Sequence, residues 1–139
     1  MTSSEDAMPP GRQLPLIVWE DLRQVAPPGI GSLIGQWRGP TIPVHREWEG
    51  EFAVEALEME VGDFVGHLAI LVISTGEQAP ADSKIYIVQP PNGPMAVGVF
   101  RDNDYVAMFD LASGPHEHRA VPAGQCTVIG RVTYLIAPL

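Results

Sequence analysis

The chain has 139 residues, 45% of them hydrophobic and 18% charged, which fits one globular domain with a single core and excludes disorder over the whole length. Its net charge of −9 disfavours direct binding of nucleic acid, because an acidic surface repels the phosphate backbone. The single cysteine excludes an intrachain disulfide and fits a reducing cytoplasm.

Short apolar segments dominate the chain, because 14 glycines and 14 prolines are spread along it and interrupt any long helix. Residues 1–13 are polar and predict a disordered leader, followed by a single domain over 14–139. Two stretches, 20–25 and 31–37, favour helical turns. The apolar runs predict about eight strands, at 14–19, 41–44, 52–59, 68–74, 84–89, 95–100, 105–111 and 127–136.

Turn residues between the apolar runs indicate how the predicted strands connect. Pro-Pro-Asn-Gly at 90–93 and Asp-Asn-Asp at 102–104 predict two consecutive hairpins. The longest apolar stretch, around 68–73, is too short to cross a bilayer, so we expect no membrane insertion. The sequence therefore predicts a mostly-β fold with little helix.

The last predicted strand, 127–136, alternates between two apolar sets. A strand that is apolar on both faces at the end of a chain favours a partner along its edge. We therefore expect a homodimer whose interface uses one of these sets, which comprises Val128, Gly130, Val132, Tyr134 and Ile136.

The order of the segments resembles the C-terminal domains of LexA and of lambdoid phage repressors, which are self-cleaving serine peptidases. The Leu-Pro-Leu-Ile-Val-Trp segment at 14–19 is similar to the entry segment of that family. Anchors that match in order are Met59 and Gly66 with the aliphatic run after it, then Asn-Gly at 92–93 and Val-Ile-Gly-Arg-Val at 128–132. The resemblance implies a LexA- and signal-peptidase-like fold, with short, strongly twisted antiparallel strands in small packed sheets.

The catalytic positions of that family are changed in this chain. The resemblance places the nucleophilic serine at Glu58 and the general-base lysine at Gly98, on adjacent strands that face one groove. A carboxylate and a glycine supply neither the hydroxyl nor the amine of a Ser–Lys mechanism. The Ala-Gly cleavage site is also replaced, by Asp21-Leu22. We therefore expect no peptidase activity and no cofactor.

Histidine and carboxylate clusters support an alternative hypothesis. His116 and His118 lie two positions apart, so on a strand they share a face and form half of a metal site of the cupin type. A metal-dependent or rearranged hydrolase built on Glu58 and these histidines is the resulting alternative. A solvated polar loop over 114–122 is the simpler interpretation, and it predicts no metal.

Three further features have a simple structural interpretation. Ser74 and Lys84 form a weak candidate for a displaced dyad, and Ser74 is more simply a residue at a strand end. Cys126, at the start of an apolar strand, is more simply a small buried side chain than a reactive thiol. An acidic series between 47 and 60 is either the wet face of a strand or a weak cation site.

Two functions therefore stand as expectations. In the first, the chain is a catalytically inactive repressor-like domain that acts as a dimerisation or protein-binding module in transcriptional regulation. DNA contact then comes from a separate helix-turn-helix protein or from a part of the protein that this chain does not include. In the second, the chain is the hydrolase based on Glu58 and the histidines.

Overall fold

Short strands account for most of the computed structural model, which describes residues 11–57, 68–76, 79–103, 106–114 and 117–136. These ranges contain β1 (Arg12–Val18), β2 (Thr41–Val44), β3 (Phe52–Leu57), β4 (Leu68–Ser74), β5 (Ile85–Gln89), β6 (Ala96–Asp102), β7 (Ala107–Gly114), β8 (Glu117–Pro122) and β9 (Thr127–Ile136). They also contain two short helices, α1 (Trp19–Leu22) and α2 (Ile30–Gly35), and 3₁₀ turns at Pro27–Gly29 and Ala123–Gln125. The predicted mostly-β fold with little helix is confirmed.

The strands form one sheet in the order β2-β1-β3-β4-β9-β5-β6-β7-β8. Strands β1 and β3 are parallel, and the other pairs are antiparallel. This arrangement differs from the expected small antiparallel sheets. The reason lies in the segment between β1 and β3, because a parallel pair needs a long crossover and this one carries both helices and β2. The two predicted hairpins, β5–β6 and β6–β7, are confirmed.

The two helices cover one face of the sheet and form its largest core cluster. Trp19 and Leu22 of α1 and Ile30 of α2 are buried there against apolar strand residues. Ile73 of β4 and Ile87 of β5 belong to the same cluster. Successive residues of a strand point to opposite faces, so the residues next to Ile73 and Ile87 point away from the helices.

The opposite face carries two smaller clusters. One groups Tyr86 and Val88 of β5 with the aromatic rings of Phe100 and Phe109. The other surrounds Val72 and includes Leu14, Val44, Ile42, Trp48 and Ile136. Strand β9 lies between β4 and β5, so the surface between these two clusters belongs largely to β9.

Strand β9 matches its predicted bounds, but its surroundings differ from the expectation. It pairs with β5 over residues 127–131 and with β4 over residues 131–136, so among the described residues each half of β9 has a strand partner on one side, and only Arg131 has partners on both. It also carries an extra residue at two points. Ile129 lies between the partners of Val88 and Ile87, and Thr133 lies between the partners of Ile73 and Val72.

These two bulges break the alternation that the sequence predicts for 127–136. Val132 pairs with Ile73 and packs against the helix-side cluster, whereas Tyr134 pairs with Val72 on the opposite face. The five residues assigned to a dimer interface therefore do not share one face. Val128, Tyr134 and Ile136 lie on the face opposite the helices, and Gly130 and Val132 lie on the helix side.

Two boundaries also differ from the prediction. Strand β1 begins at Arg12, inside the stretch predicted as a leader. Residues 117–122 form β8, although they were predicted as part of a polar loop. Polar and charged side chains suit β8 because it is the last strand of the sheet, with β7 as its one paired neighbour. Within the described residues, no helix is long and apolar enough to cross a membrane.

Candidate functional site

The predicted general-base position, Gly98, is buried in β6 between Tyr86 of β5 and Leu111 of β7. A Cβ atom at this glycine would lie 2.6 Å from the Cδ2 atom of Leu111 and 3.2 Å from the carbonyl oxygen of Asp110. A lysine side chain therefore has no room here unless Leu111 moves. The nucleophile position, Glu58, lies outside the described residues.

The strand order bears on the expected pairing of positions 58 and 98. Strand β3, which ends at Leu57, is separated from β6 by β4, β9 and β5 in the sheet. The C-terminal strand β9 lies next to β4 and separates the two hairpin regions. Because Glu58 lies outside the described residues, the expectation that positions 58 and 98 face one groove stays a prediction.

Of the predicted histidine pair, the structure describes His118 alone. His118 lies on β8 with its Nδ1 atom 3.4 Å from Oδ2 of Asp110 on β7. His116 lies outside the described residues. No group of three or more histidine, cysteine, aspartate or glutamate side chains able to hold a metal occurs among the described residues.

The acidic series contributes two carboxylates to polar contacts with the end of β4. The hydroxyl of Ser74 donates to Oε1 of Glu49 at 3.3 Å, and Nη2 of Arg131 donates to Oε2 of Glu49 at 3.2 Å. The backbone N–H and the hydroxyl of Thr75 both donate to Oε1 of Glu51, at 3.2 and 3.1 Å. Glu49 and Glu51 therefore orient polar groups of β4 and β9.

Ser74 is a buried polar residue, with a relative exposure of 5%. Its partner is Glu49, rather than the Lys84 of the displaced dyad, which is exposed just before β5. Cys126 is half-buried, and burial raises the pKa of its thiol, although the nearby charge of Arg119 lowers it. Its Sγ lies 3.7 Å from the carbonyl oxygen of Pro122. A raised pKa favours the protonated thiol and so a low nucleophilicity.

A polar cleft opens beside Ser74. Three residues in register across β4, β9 and β5 line it, because Arg131 pairs with both Ser74 and Tyr86. The cleft has a volume of about 440 Å³, and Thr75 and Gly76 form part of its wall. Volumes of this size hold small molecules.

A second, more apolar cleft of about 390 Å³ adjoins the first. It is lined by Pro27, Pro28 and Ile34 from the helical segment. The two clefts share three lining residues, which are Thr75, Val128 and Ile129. Ile129 is the extra residue of one β9 bulge, so the irregular backbone helps to shape the place where the clefts meet.

Sequence reasoning missed this pair of clefts. It considered Ser74 and the acidic residues separately, and it assigned no role to Arg131. Arg131 and Glu49 are 82 positions apart, and no local motif connects them. Comparison of the sequence with models of known protein families and with curated proteins finds no match.

Proposed function

We propose that the chain is a catalytically inactive LexA- or phage-repressor-like domain that serves as a dimerisation or protein-binding module in transcriptional regulation, in the cytoplasm. The observation that supports this function most directly is the exposed apolar surface on the sheet face opposite the helices. Val128 and Tyr134 of β9 are each 38% exposed there. Tyrosine is among the side chains that are enriched at interfaces between proteins.

The two ends of the sheet favour association through this face rather than through strand addition. Strand β2 contains Pro43, and strand β8 ends at Pro122 and carries the exposed side chains of His118 and Arg119. Proline removes a backbone donor, and charged side chains discourage pairing with another strand. The edges are therefore poor templates, whereas the face opposite the helices offers apolar contact area.

The buried glycine at position 98 supports the inactive state. A Ser–Lys mechanism needs an amine with a lowered pKa at the base position, and Gly98 is enclosed by Leu111 and Tyr86. The net charge of −9 further disfavours direct DNA contact. In this proposal a separate helix-turn-helix protein supplies that contact.

A test of inactivity is the intact mass after incubation at alkaline pH, where members of the resembled family cleave themselves. The mass should be unchanged, because no hydroxyl–amine pair is available at positions 58 and 98. A specific pair of fragments formed by cleavage between residues 19 and 29 would contradict this assignment.

A test of self-association is the mass of the unmodified protein in solution, measured by light scattering at micromolar concentration. A homodimer should give twice the mass of one chain. A monomeric mass would remove self-association from the proposed function.

A further inference from the structure

The two clefts adjoin beside the part of β9 that has no β4 partner, and they have unlike linings. Ser74 and Arg131 line the polar cleft, and Pro27, Pro28, Ile30 and Ile34 line the apolar cleft. Thr75, Val128 and Ile129 line both. A groove formed by two such clefts selects a ligand that has a compact polar head and an apolar side chain.

The polar end combines one strong donor with two acceptors. Nη2 of Arg131 bonds to Glu49, and among the described residues no other partner accepts from the guanidinium, which carries five N–H donors. The hydroxyls of Ser74 and Thr75 donate their protons to Glu49 and Glu51. Their oxygens therefore keep lone pairs for a donor in the groove.

These donors and acceptors lie close enough for one small head group to contact both. Ser74 and Arg131 are directly paired across β4 and β9, which places their side chains on the same face about 5 Å apart at Cβ. A carboxylate fits the guanidinium, and an ammonium fits hydroxyl oxygens that are polarised by carboxylates. An α-amino acid carries these two groups on one carbon atom.

The local charge also favours a zwitterion. Arg131 contributes one positive charge, Glu49 and Glu51 contribute two negative charges, and the whole chain carries −9. A simple anion is repelled by this balance, and a simple amine leaves the guanidinium without a new acceptor. A zwitterion satisfies both ends without adding net charge.

We propose that this groove binds a free α-amino acid with an apolar side chain. Its carboxylate bonds to Arg131, its ammonium to the hydroxyl oxygens of Ser74 and Thr75, and its side chain lies against Pro27 and Ile34. This site goes beyond the proposed interaction function, and it shares Val128 but not Tyr134 with the proposed association face.

The ligand test is isothermal titration of the full chain with four probes. L-leucine should bind, whereas N-acetyl-L-leucine, which lacks the ammonium, and L-leucinamide, which lacks the carboxylate, should bind at least about tenfold more weakly. Glycine should also bind more weakly, because it has no side chain for the apolar end. No binding of L-leucine at millimolar concentration, or equal binding of any control probe, would overturn the proposal.

The residue test uses Arg131→Gln and Thr75→Val, with Arg101→Gln as the matched control on the exposed end of β6. Arg131→Gln should weaken L-leucine binding by about tenfold or more, and Arg101→Gln should leave it unchanged. Thr75→Val, which replaces a hydroxyl by a methyl group of similar size, should also weaken binding and keeps the test valid if Arg131→Gln does not fold. Unchanged binding by a folded variant at position 131 or 75 would overturn the assignment.

Discussion

The absence of a side chain at Gly130 allows β9 to approach β4 closely. At Gly130 a Cβ atom would lie 2.6 Å from Cγ2 of Ile73 and 2.7 Å from the carbonyl oxygen of Ser74. The second of these contacts is with backbone, which cannot move away as a side-chain end can. A glycine at 130 therefore allows the two central strands to pair at the place where Ser74 and Arg131 meet.

Gly130→Ala should destabilise the fold by about 1–3 kcal/mol, because the added methyl group overlaps β4. Gly31→Ala is the matched control, since a Cβ atom at Gly31 in α2 has no atom within 4 Å and α2 gains helix propensity. The control should stabilise by roughly 0.4–1 kcal/mol. Urea unfolding followed by circular dichroism measures both values, and equal effects at the two positions would contradict the close approach.

At the scale of elements, the bulges of β9 explain which side chains reach which face. Thr133 lies opposite no single residue of β4, and its hydroxyl is 2.6 Å from the carbonyl oxygen of Glu49 and 3.2 Å from that of Val72. The extra residue turns Tyr134 toward Trp48, with ring centroids 4.3 Å apart and an interplanar angle of 11°. The bulge thus places the Trp48–Tyr134 ring stack over the apolar cluster around Val72.

Deletion of Thr133 should cost about 1 kcal/mol, because Val132 and Tyr134 stay opposite Ile73 and Val72 and only the hydroxyl bonds of Thr133 are lost. Thr133→Val is the control. It keeps the extra residue, loses the same hydroxyl bonds, and should cost a similar amount. Chemical denaturation compares the two, and a deletion variant about 3 kcal/mol less stable than Thr133→Val would contradict the assignment of Thr133 as the extra residue.

The elements also show what the sequence alone can predict. Strands β4, β5, β6 and β9 are rich in branched apolar residues, so their existence follows from local pattern. Strand β8 was predicted as a loop because its sequence, Glu-His-Arg-Ala-Val-Pro, is mostly polar and has no alternating apolar pattern. The bulges and the Arg131–Glu49 pair depend on which strands become neighbours, and a local pattern contains no information on pairing between distant segments.

At the scale of the whole molecule, the sheet buries its central strands and leaves one face partly apolar. A two-fold interface would place the same patch of each copy in contact, and stable interfaces bury about 800 Å² per partner. Val128 and Tyr134 lie on that face. Val132 packs on the helix-side cluster instead, so a charge at 132 tests folding rather than association.

Val128→Asp and Tyr134→Asp should each convert the proposed dimer to a monomer, because an aspartate buried in the interface would lack a partner. Val106→Asp is the matched control, since Val106 is 49% exposed but lies in the β6–β7 turn. Tyr134 stacks on Trp48, so Val128→Asp separates loss of association from loss of that stack. Light scattering gives the mass and circular dichroism verifies the fold. A dimer that survives both folded variants, or that dissociates equally in the control, would place the interface elsewhere on the molecule.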